Sequence, residues 1–93
     1  MDRYYKLIQA GAFDILVLLG HNDGMLQKDI VDQIESVGEH KTIELLNLMS
    51  TIGILRIEKE KKFQGGVRYF MLSKGMELFK AVEEFQKVID SFL

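Results

Sequence analysis

Hydrophobic residues recur with helical spacing in four segments of the chain. The first, from Tyr4 to about Gly20, is apolar on nearly every side of its C-terminal half, which predicts a helix in the middle of the fold. Amphipathic patterns predict two further helices over residues 27–34 and 39–52. A fourth pattern begins near Ser73 and continues to the C-terminus. We therefore expect four helices.

The third helical segment, residues 39–52, separates buried from exposed positions most clearly. Its buried positions recur at intervals of three and four residues, as expected for one stripe of an amphipathic helix. The stripe consists of Thr42, Leu45, Leu46, Met49 and Ile52. The outward positions of its N-terminal half are His40, Lys41, Glu44 and Asn47. Asparagine, lysine and glutamate can each bond a DNA base edge, and an ordinary solvent-exposed face is the alternative interpretation.

Two segments near the middle of the chain alternate with the period of two that is typical of strands. They are residues 54–63 and residues 67–72, and the second is rich in strand-forming side chains. Because two glycines separate these segments, the pattern predicts a β-hairpin. Met25 and Leu26 are candidates for a further short strand.

The turn of this hairpin fixes which side chains face the core. Gly65 and Gly66 can both adopt the positive φ of a tight two-residue turn, so we predict that they form it. In that register Phe63 lies opposite Arg68. The residues then predicted to share the core face are Leu55, Ile57, Phe70 and Leu72.

The last helix carries an apolar stripe with alternating spacings of four and three residues, which is the period of a coiled coil. The stripe consists of Leu78, Val82, Phe85, Ile89 and Phe92. Its C-terminal part lies about 18–27 Å along the helix from Ser73, where a small domain has little core left to cover. We therefore predict that the stripe forms a homodimer interface. Coverage of the domain's own core is the alternative.

Charge is unevenly distributed along this chain of 93 residues, whose formal net charge is −2. Residues 1–38 carry three positive and six negative groups, a net charge of −3. Residues 54–75 carry six positive and two negative groups, a net charge of +4. A basic segment in an otherwise acidic chain is typical of a localised phosphate-binding element. Lysines can also protect an exposed hairpin from edge-to-edge aggregation.

Several classes of site are not expected from this composition. The chain has no cysteine for a disulfide or a thiolate metal site. His21 and His40 have no companions at metal-ligand spacing, and the serines lack a nucleophile–base pattern. We therefore expect no metal, no cofactor and no enzymatic activity. Because no apolar run approaches the roughly 18 residues of a membrane span, we expect a cytoplasmic protein. If it binds DNA, as the motifs below imply, it is expected to be nucleoid-associated.

Two motifs resemble those of winged helix-turn-helix proteins. The clearest is the sequence GVRYFMLSKG at residues 66–75, which is similar to the wing and exit pattern of this family. The second is residues 46–55, which are similar to the end of a recognition helix followed by glycine and a strand. The resemblance is to MarR/PadR-type regulators and to small archaeal winged-helix proteins with a C-terminal coiled-coil helix.

The resemblance implies an α+β fold, with a winged helix-turn-helix domain over residues 1–75 and a dimerisation helix over residues 76–93. It implies a homodimeric transcriptional regulator whose partner is double-stranded DNA. The third helix would enter the major groove, and the β-hairpin, or wing, would contact phosphates or the minor groove. The residues assigned to DNA contact are His40, Lys41, Glu44, Asn47, Lys59, Lys61, Lys62, Gln64, Gly65, Gly66 and Arg68.

Two other functions are compatible with the same fold. The first is an architectural or chromatin protein that binds DNA with little sequence preference, which the acidic residues flanking Lys41 favour. The second is a protein-interaction module of a transcription complex, which the acidic surface favours. Because phosphate contacts weaken steeply with salt, a salt titration separates DNA binding from the second alternative.

Overall fold

The computed structural model describes residues 10–59 and 66–93, in which four helices and three strands follow one another. The predicted α+β class is confirmed, and each predicted helix and strand within these residues is present. Residues 4–9 of the first predicted helix and 60–63 of the first long strand lie outside the described residues. The elements are α1 (Ala10–His21), β1 (Met25–Leu26), α2 (Gln27–Gln33), α3 (Glu39–Thr51), β2 (Leu55–Lys59), β3 (Val67–Met71) and α4 (Ser73–Phe92).

Helix α1 lies at the centre of the core, as its apolar composition predicts. It packs against α3 on one side and against α4 on another. Its core residues are Ala12, Ile15, Leu16 and Leu19, and none of them is more than 2% exposed. A helix that buries apolar side chains against several neighbours contributes a large share of the hydrophobic stabilisation of a domain this small.

The three strands form one antiparallel sheet in the order β1–β3–β2. In the β2–β3 pair, Leu55 lies opposite Met71 and Glu58 lies opposite Arg68. The predicted two-residue turn is therefore wrong, because it required Phe63 opposite Arg68. Among the described residues, the pair nearest the tip of the hairpin is Lys59 with Val67.

The new register exchanges the two faces of β3. Directly opposed residues share a face of an antiparallel sheet, so Leu55 and Ile57 share theirs with Tyr69 and Met71. The prediction that Phe70 and Leu72 occupy the core face is therefore wrong, and Ile57, although it shares a face with Tyr69, is 39% exposed rather than buried. The core accepts Tyr69 because its hydroxyl donates a 2.8 Å hydrogen bond to Oε1 of Gln27 in α2, which satisfies the polar end of a side chain that is only 1% exposed.

Phe70 packs on the opposite face of the sheet, against the turn before β1. Gly24 in that turn has a φ of 77°, and a Cβ there would lie 2.8 Å from the Phe70 ring. Glycine is required on both counts, because other residues rarely adopt this conformation and would meet the ring. The neighbouring Asp23 accepts a 2.9 Å hydrogen bond from the Met71 amide, so this turn holds the C-terminal end of β3.

The start of α4 lies directly on the chain that leads into β2. The Leu72 amide donates to the Ile54 carbonyl at 3.0 Å. One turn later, a Cβ on Gly75 would approach the same oxygen to 2.6 Å. Only glycine allows this close approach. The direction in which α4 leaves the domain is therefore set by backbone contacts at its first turn, and Phe79 then packs into the core with 6% exposure.

Burial of Tyr69 predicts a pH-dependent stability. Desolvation raises the pKa of the Tyr69 hydroxyl above its ordinary value of 10.0, because burial penalises the phenolate. The unfolded chain therefore ionises Tyr69 at a lower pH than the folded protein. This contribution to the free energy of unfolding is complete below about pH 10 and is lost as pH rises through the folded-state pKa. Urea unfolding from about pH 9 to about pH 11 measures it.

The matched control is Tyr69→Phe, which loses about 1 kcal/mol at neutral pH with the hydrogen bond. Lysine deprotonation and the other tyrosines affect both proteins equally. We expect the wild type to lose more stability than Tyr69→Phe over this pH interval. Equal losses would show that Tyr69 is not buried as described.

Candidate nucleic-acid interface

Helix α3 presents one buried face and one polar, exposed face. Thr42, Leu45, Leu46 and Met49 are at most 1% exposed, as predicted, whereas Ile52, the fifth predicted member, lies just after the helix and is half-buried. The helix begins after Gly38, whose carbonyl accepts a 2.9 Å hydrogen bond from the Thr42 hydroxyl. This bond satisfies the hydroxyl of Thr42, which is the one polar side chain in the buried stripe. The stripe therefore fixes the helix rotation and leaves the other face to solvent.

The four residues predicted to read bases all lie on α3. His40, Glu44 and Asn47 are exposed, and their spacing of four and three residues places them along one line of the helix surface. Lys41 is half-buried and forms an ion pair with Glu44, with Nζ 3.6 Å from Oε1. The structure thus brings these four residues together on one surface, which we call the α3 face.

The predicted wing residues are only partly within the described residues. Lys59 is exposed at the end of β2, and Gly66 immediately precedes β3. A Cβ on Gly66 would lie 2.6 Å from the side chain of Leu26, so the chain enters β3 in close contact with β1. The other predicted wing residues, Lys61, Lys62, Gln64 and Gly65, lie outside the described residues.

Arg68 has a structural contact that sequence reasoning did not anticipate. Its Nη1 donates a 2.8 Å hydrogen bond to the Gly24 carbonyl, and the side chain is half-buried. The Gly24 amide in turn donates to the Tyr69 carbonyl at 3.1 Å. The guanidinium therefore joins β3 to the turn before β1.

Arg56 belongs to the basic segment, residues 54–75, but is not among the residues predicted to contact DNA. Its guanidinium carbon lies 4.5 Å from the centroid of the Phe70 ring, and its Nη1 lies 2.6 Å from a carboxylate oxygen of Glu58. Stacking and ion pairing together hold this arginine on the outer face of the sheet. The feature that points to this role of Arg56 is its pairing with Phe70 across β2 and β3. That pairing can be identified only once the register is known.

The apolar stripe of α4 is largely exposed in the single chain. Phe85 is 61% exposed, Ile89 is 41% exposed and Phe92 is 79% exposed, whereas Val82 is half-buried against the core. Val88, at 47% exposure, broadens the same surface. We call these C-terminal residues, Phe85, Val88, Ile89 and Phe92, the α4 apolar face. Contiguous large apolar side chains on the exposed surface of a protein mark an interaction site.

An open cleft of about 420 Å³ is lined by residues of α1, by residues 33–36 at the end of α2 and by Gln86 of α4. On one wall, the Ser36 hydroxyl donates to a carboxylate oxygen of Asp14 at 2.5 Å, which gives a partner to the single charged side chain of α1. On another, Nε2 of His21 lies 3.5 Å from Oε2 of Glu83. The His21 ring also packs edge-on against Phe79, with centroids 5.1 Å apart, so these contacts join α1 to α4.

Two further features are absent from the described residues: a metal-binding cluster and a membrane-spanning helix. Within residues 10–59 and 66–93, histidine, aspartate and glutamate nowhere gather in a group of three or more that could hold a metal ion. In this described part of the chain, no helix combines the length and the apolar character needed to cross a bilayer.

Comparison with known proteins finds similarity at the level of structure. No protein-family model and no curated protein matches the sequence. Among solved structures, the protein ytfH from Salmonella typhimurium is similar, with a TM-score of 0.82 and 17% identity, over 96% of this chain and 79% of that chain. The transcriptional regulator homologue protein from Pyrococcus horikoshii OT3 has a TM-score of 0.72 and 13% identity, over 99% of this chain and 98% of that one.

A third similar structure is that of a MarR transcriptional regulator from Methanosarcina mazei Go1. Its TM-score is 0.73 at 21% identity, over 97% of this chain and 67% of that chain. At such identities the similarity is one of fold. It covers the helices, the three-stranded sheet and the long last helix together. The predicted winged-helix fold is therefore confirmed, and this chain shares it with a MarR transcriptional regulator.

Proposed function

We propose that this protein is a transcriptional regulator that binds double-stranded DNA as a homodimer. The α3 face enters the major groove, and the basic hairpin formed by β2, β3 and their connection contacts phosphates or the minor groove. The α4 apolar face joins two copies. The observation that carries the proposal is the exposed polar face of α3, held on the same domain as the one segment of the chain with a strongly positive charge.

Charge supports the part of the proposal that concerns the hairpin. Cationic side chains gain affinity for DNA by releasing counterions from phosphates, and residues 54–75 carry a net charge of +4 while the whole chain carries −2. In the described residues Lys59 is exposed on β2. Electrostatic attraction acts first between the hairpin and DNA, because the rest of the chain carries a net negative charge.

The α4 apolar face supports the proposal of a homodimer. Helix α4 has 20 residues and is therefore about 30 Å long, and its contact with the core ends near Val82. The stripe beyond that point continues with coiled-coil spacing, which fits a second copy of the same helix. Two-fold symmetry then presents two α3 helices to DNA and favours palindromic or evenly spaced half-sites.

The named relatives agree with this function. The structure from Methanosarcina mazei is that of a MarR transcriptional regulator, and the Pyrococcus horikoshii protein is described as a transcriptional regulator homologue. Because a fold hosts many functions, DNA binding by this chain is inferred from its own surface charge and exposed helix as well as from these names.

Replacing Lys61 and Lys62 by alanine tests the role of the hairpin. If both contact phosphates, affinity for duplex DNA falls for all sequences, and the slope of log Kd against log salt flattens by about one unit for each lost contact. Fluorescence anisotropy with a labelled duplex over a range of salt concentrations measures both quantities. The matched control is Lys80→Ala with Lys87→Ala, which removes the same charge from exposed positions on α4.

We expect the control to keep the wild-type salt slope. An unchanged slope in the Lys61/Lys62 variant would contradict phosphate contact by the hairpin. If the wild type fails to bind duplex DNA even at low salt, the proposal as a whole is contradicted, and a protein-interaction module becomes the better interpretation of the fold.

Replacing Phe85 and Ile89 by glutamate tests the dimer. Charges introduced into an apolar interface are costly to bury, so we expect this variant to sediment as a monomer while the wild type sediments as a dimer. The matched control is Lys87→Gln with Ser91→Glu, which changes the net charge by the same amount at exposed positions of α4. Sedimentation equilibrium measures the masses. A dimer that persists in the Phe85/Ile89 variant would place the interface elsewhere.

A further inference from the structure

The exposed surface of α3 carries more negative than positive charge, which is unusual for a helix that enters DNA. Glu39 and Glu44 are exposed, and Lys41 is the only lysine or arginine of the helix. Lys41 is paired with Glu44 at 3.6 Å, and their side chains are 35% and 48% exposed. The cation that would attract DNA is therefore partly neutralised by its own neighbour.

The Lys41–Glu44 pair is easily separated. An ion pair between solvent-exposed side chains one turn apart is weak, because water screens it and both side chains lose freedom by forming it. A DNA phosphate competes well for the lysine, since it forms a charge-assisted contact and releases counterions. Approach to DNA would then leave the Glu44 carboxylate facing the groove without its partner.

A carboxylate discriminates strongly among the groups in a major groove. It can only accept hydrogen bonds, whereas guanine presents two acceptors and thymine presents an acceptor and a methyl group. Adenine presents an amino donor beside the acceptor N7, whereas cytosine presents an amino donor with no acceptor beside it, so cytosine is the base edge that suits glutamate best. Against guanine and thymine edges and against phosphates, Glu44 is repelled and loses its hydration. Its neighbours His40 and Asn47 lie along the same line of the helix, so the three residues would face the groove together when α3 binds DNA.

We propose that Glu44 is a specificity-determining residue that penalises most DNA sequences and tolerates those presenting a cytosine amino group at its position. The inference rests on the proposed function and deepens it. Discrimination of this kind works by a repulsive element against wrong partners rather than by added attraction to the right one. With this role for Glu44, the acidic character of α3 selects a DNA site and does not prevent DNA binding.

The test compares Glu44→Gln with a matched control in the same chain. Glutamine has nearly the same shape as glutamate but no charge, and its amide can both donate and accept. The control is Glu84→Gln. Glu84 also pairs with a lysine one turn away, Lys87 at 4.0 Å, on an exposed part of α4. Both variants therefore remove one charge and one exposed i,i+3 ion pair, and they differ in whether the helix contacts DNA.

Two measurements are made on the full-length protein with duplexes that have a randomised core. The first is affinity for the unselected pool at fixed salt, and the second is base preference at each position after selection and sequencing. We expect Glu44→Gln to bind the unselected pool about fivefold more tightly than the wild type. We also expect it to lose a preference for cytosine at one position in each half-site. Glu84→Gln should match the wild type in both measurements.

Three outcomes would overturn the inference. Equal pool affinities for Glu44→Gln and Glu84→Gln would show that Glu44 does not oppose non-specific binding. A uniform gain with unchanged base preferences would show that Glu44 only restrains Lys41 and reads no base. Failure of the wild type to bind any duplex at low salt would instead contradict the proposed function, and the inference would fall with it. Circular dichroism melting confirms that the variants are folded.

Discussion

The burial of Tyr69 fixes the register of the sheet, and the register decides which side chains of the hairpin face solvent. Tyr69 is 1% exposed and bonds Gln27 through its hydroxyl, so β3 can place no other residue on the core side at this position. A shift by one residue would expose Tyr69 and bury Arg68 or Phe70. With Tyr69 in place, Arg56 and Arg68 lie on the outer face, and the strands hold the hairpin at a defined position beside the helices.

The same domain separates three kinds of surface that serve different purposes in the proposed regulator. The α3 face is polar and carries both charges, the hairpin segment is basic, and the α4 apolar face is hydrophobic. A net negative protein with one basic segment restricts the orientations in which it can approach DNA. A rigid α4, anchored by the backbone contact between Gly75 and Ile54, would fix the spacing of two such domains.

Much of the fold was predictable from the sequence because burial leaves a periodic pattern. Four of the five residues predicted for the α3 stripe are fully buried, since a helix with one buried face repeats every three or four positions. The fifth, Ile52, lies beyond the end of α3 and is half-buried. The exposure of Phe85 and Phe92 followed from their distance from the start of α4. The hairpin register was not predictable, because two adjacent glycines suggested a tight turn. The observed register instead places Tyr69 in the core, where its hydroxyl bonds Gln27, a residue 42 positions away in the chain. Contacts of single cations, such as Arg68 with the Gly24 carbonyl, depend on that register and could not be found before it.

Mapping the DNA contact surface by nuclear magnetic resonance tests the central claim most directly. Isotope-labelled protein would be titrated with a short duplex at low salt, and the amide chemical shifts followed residue by residue. DNA binding through α3 and the hairpin predicts that the largest shifts fall on α3, near Glu44 and Asn47, and on β2, near Lys59. Shifts confined to the α1–α4 cleft, or no shifts at any residue, would contradict it.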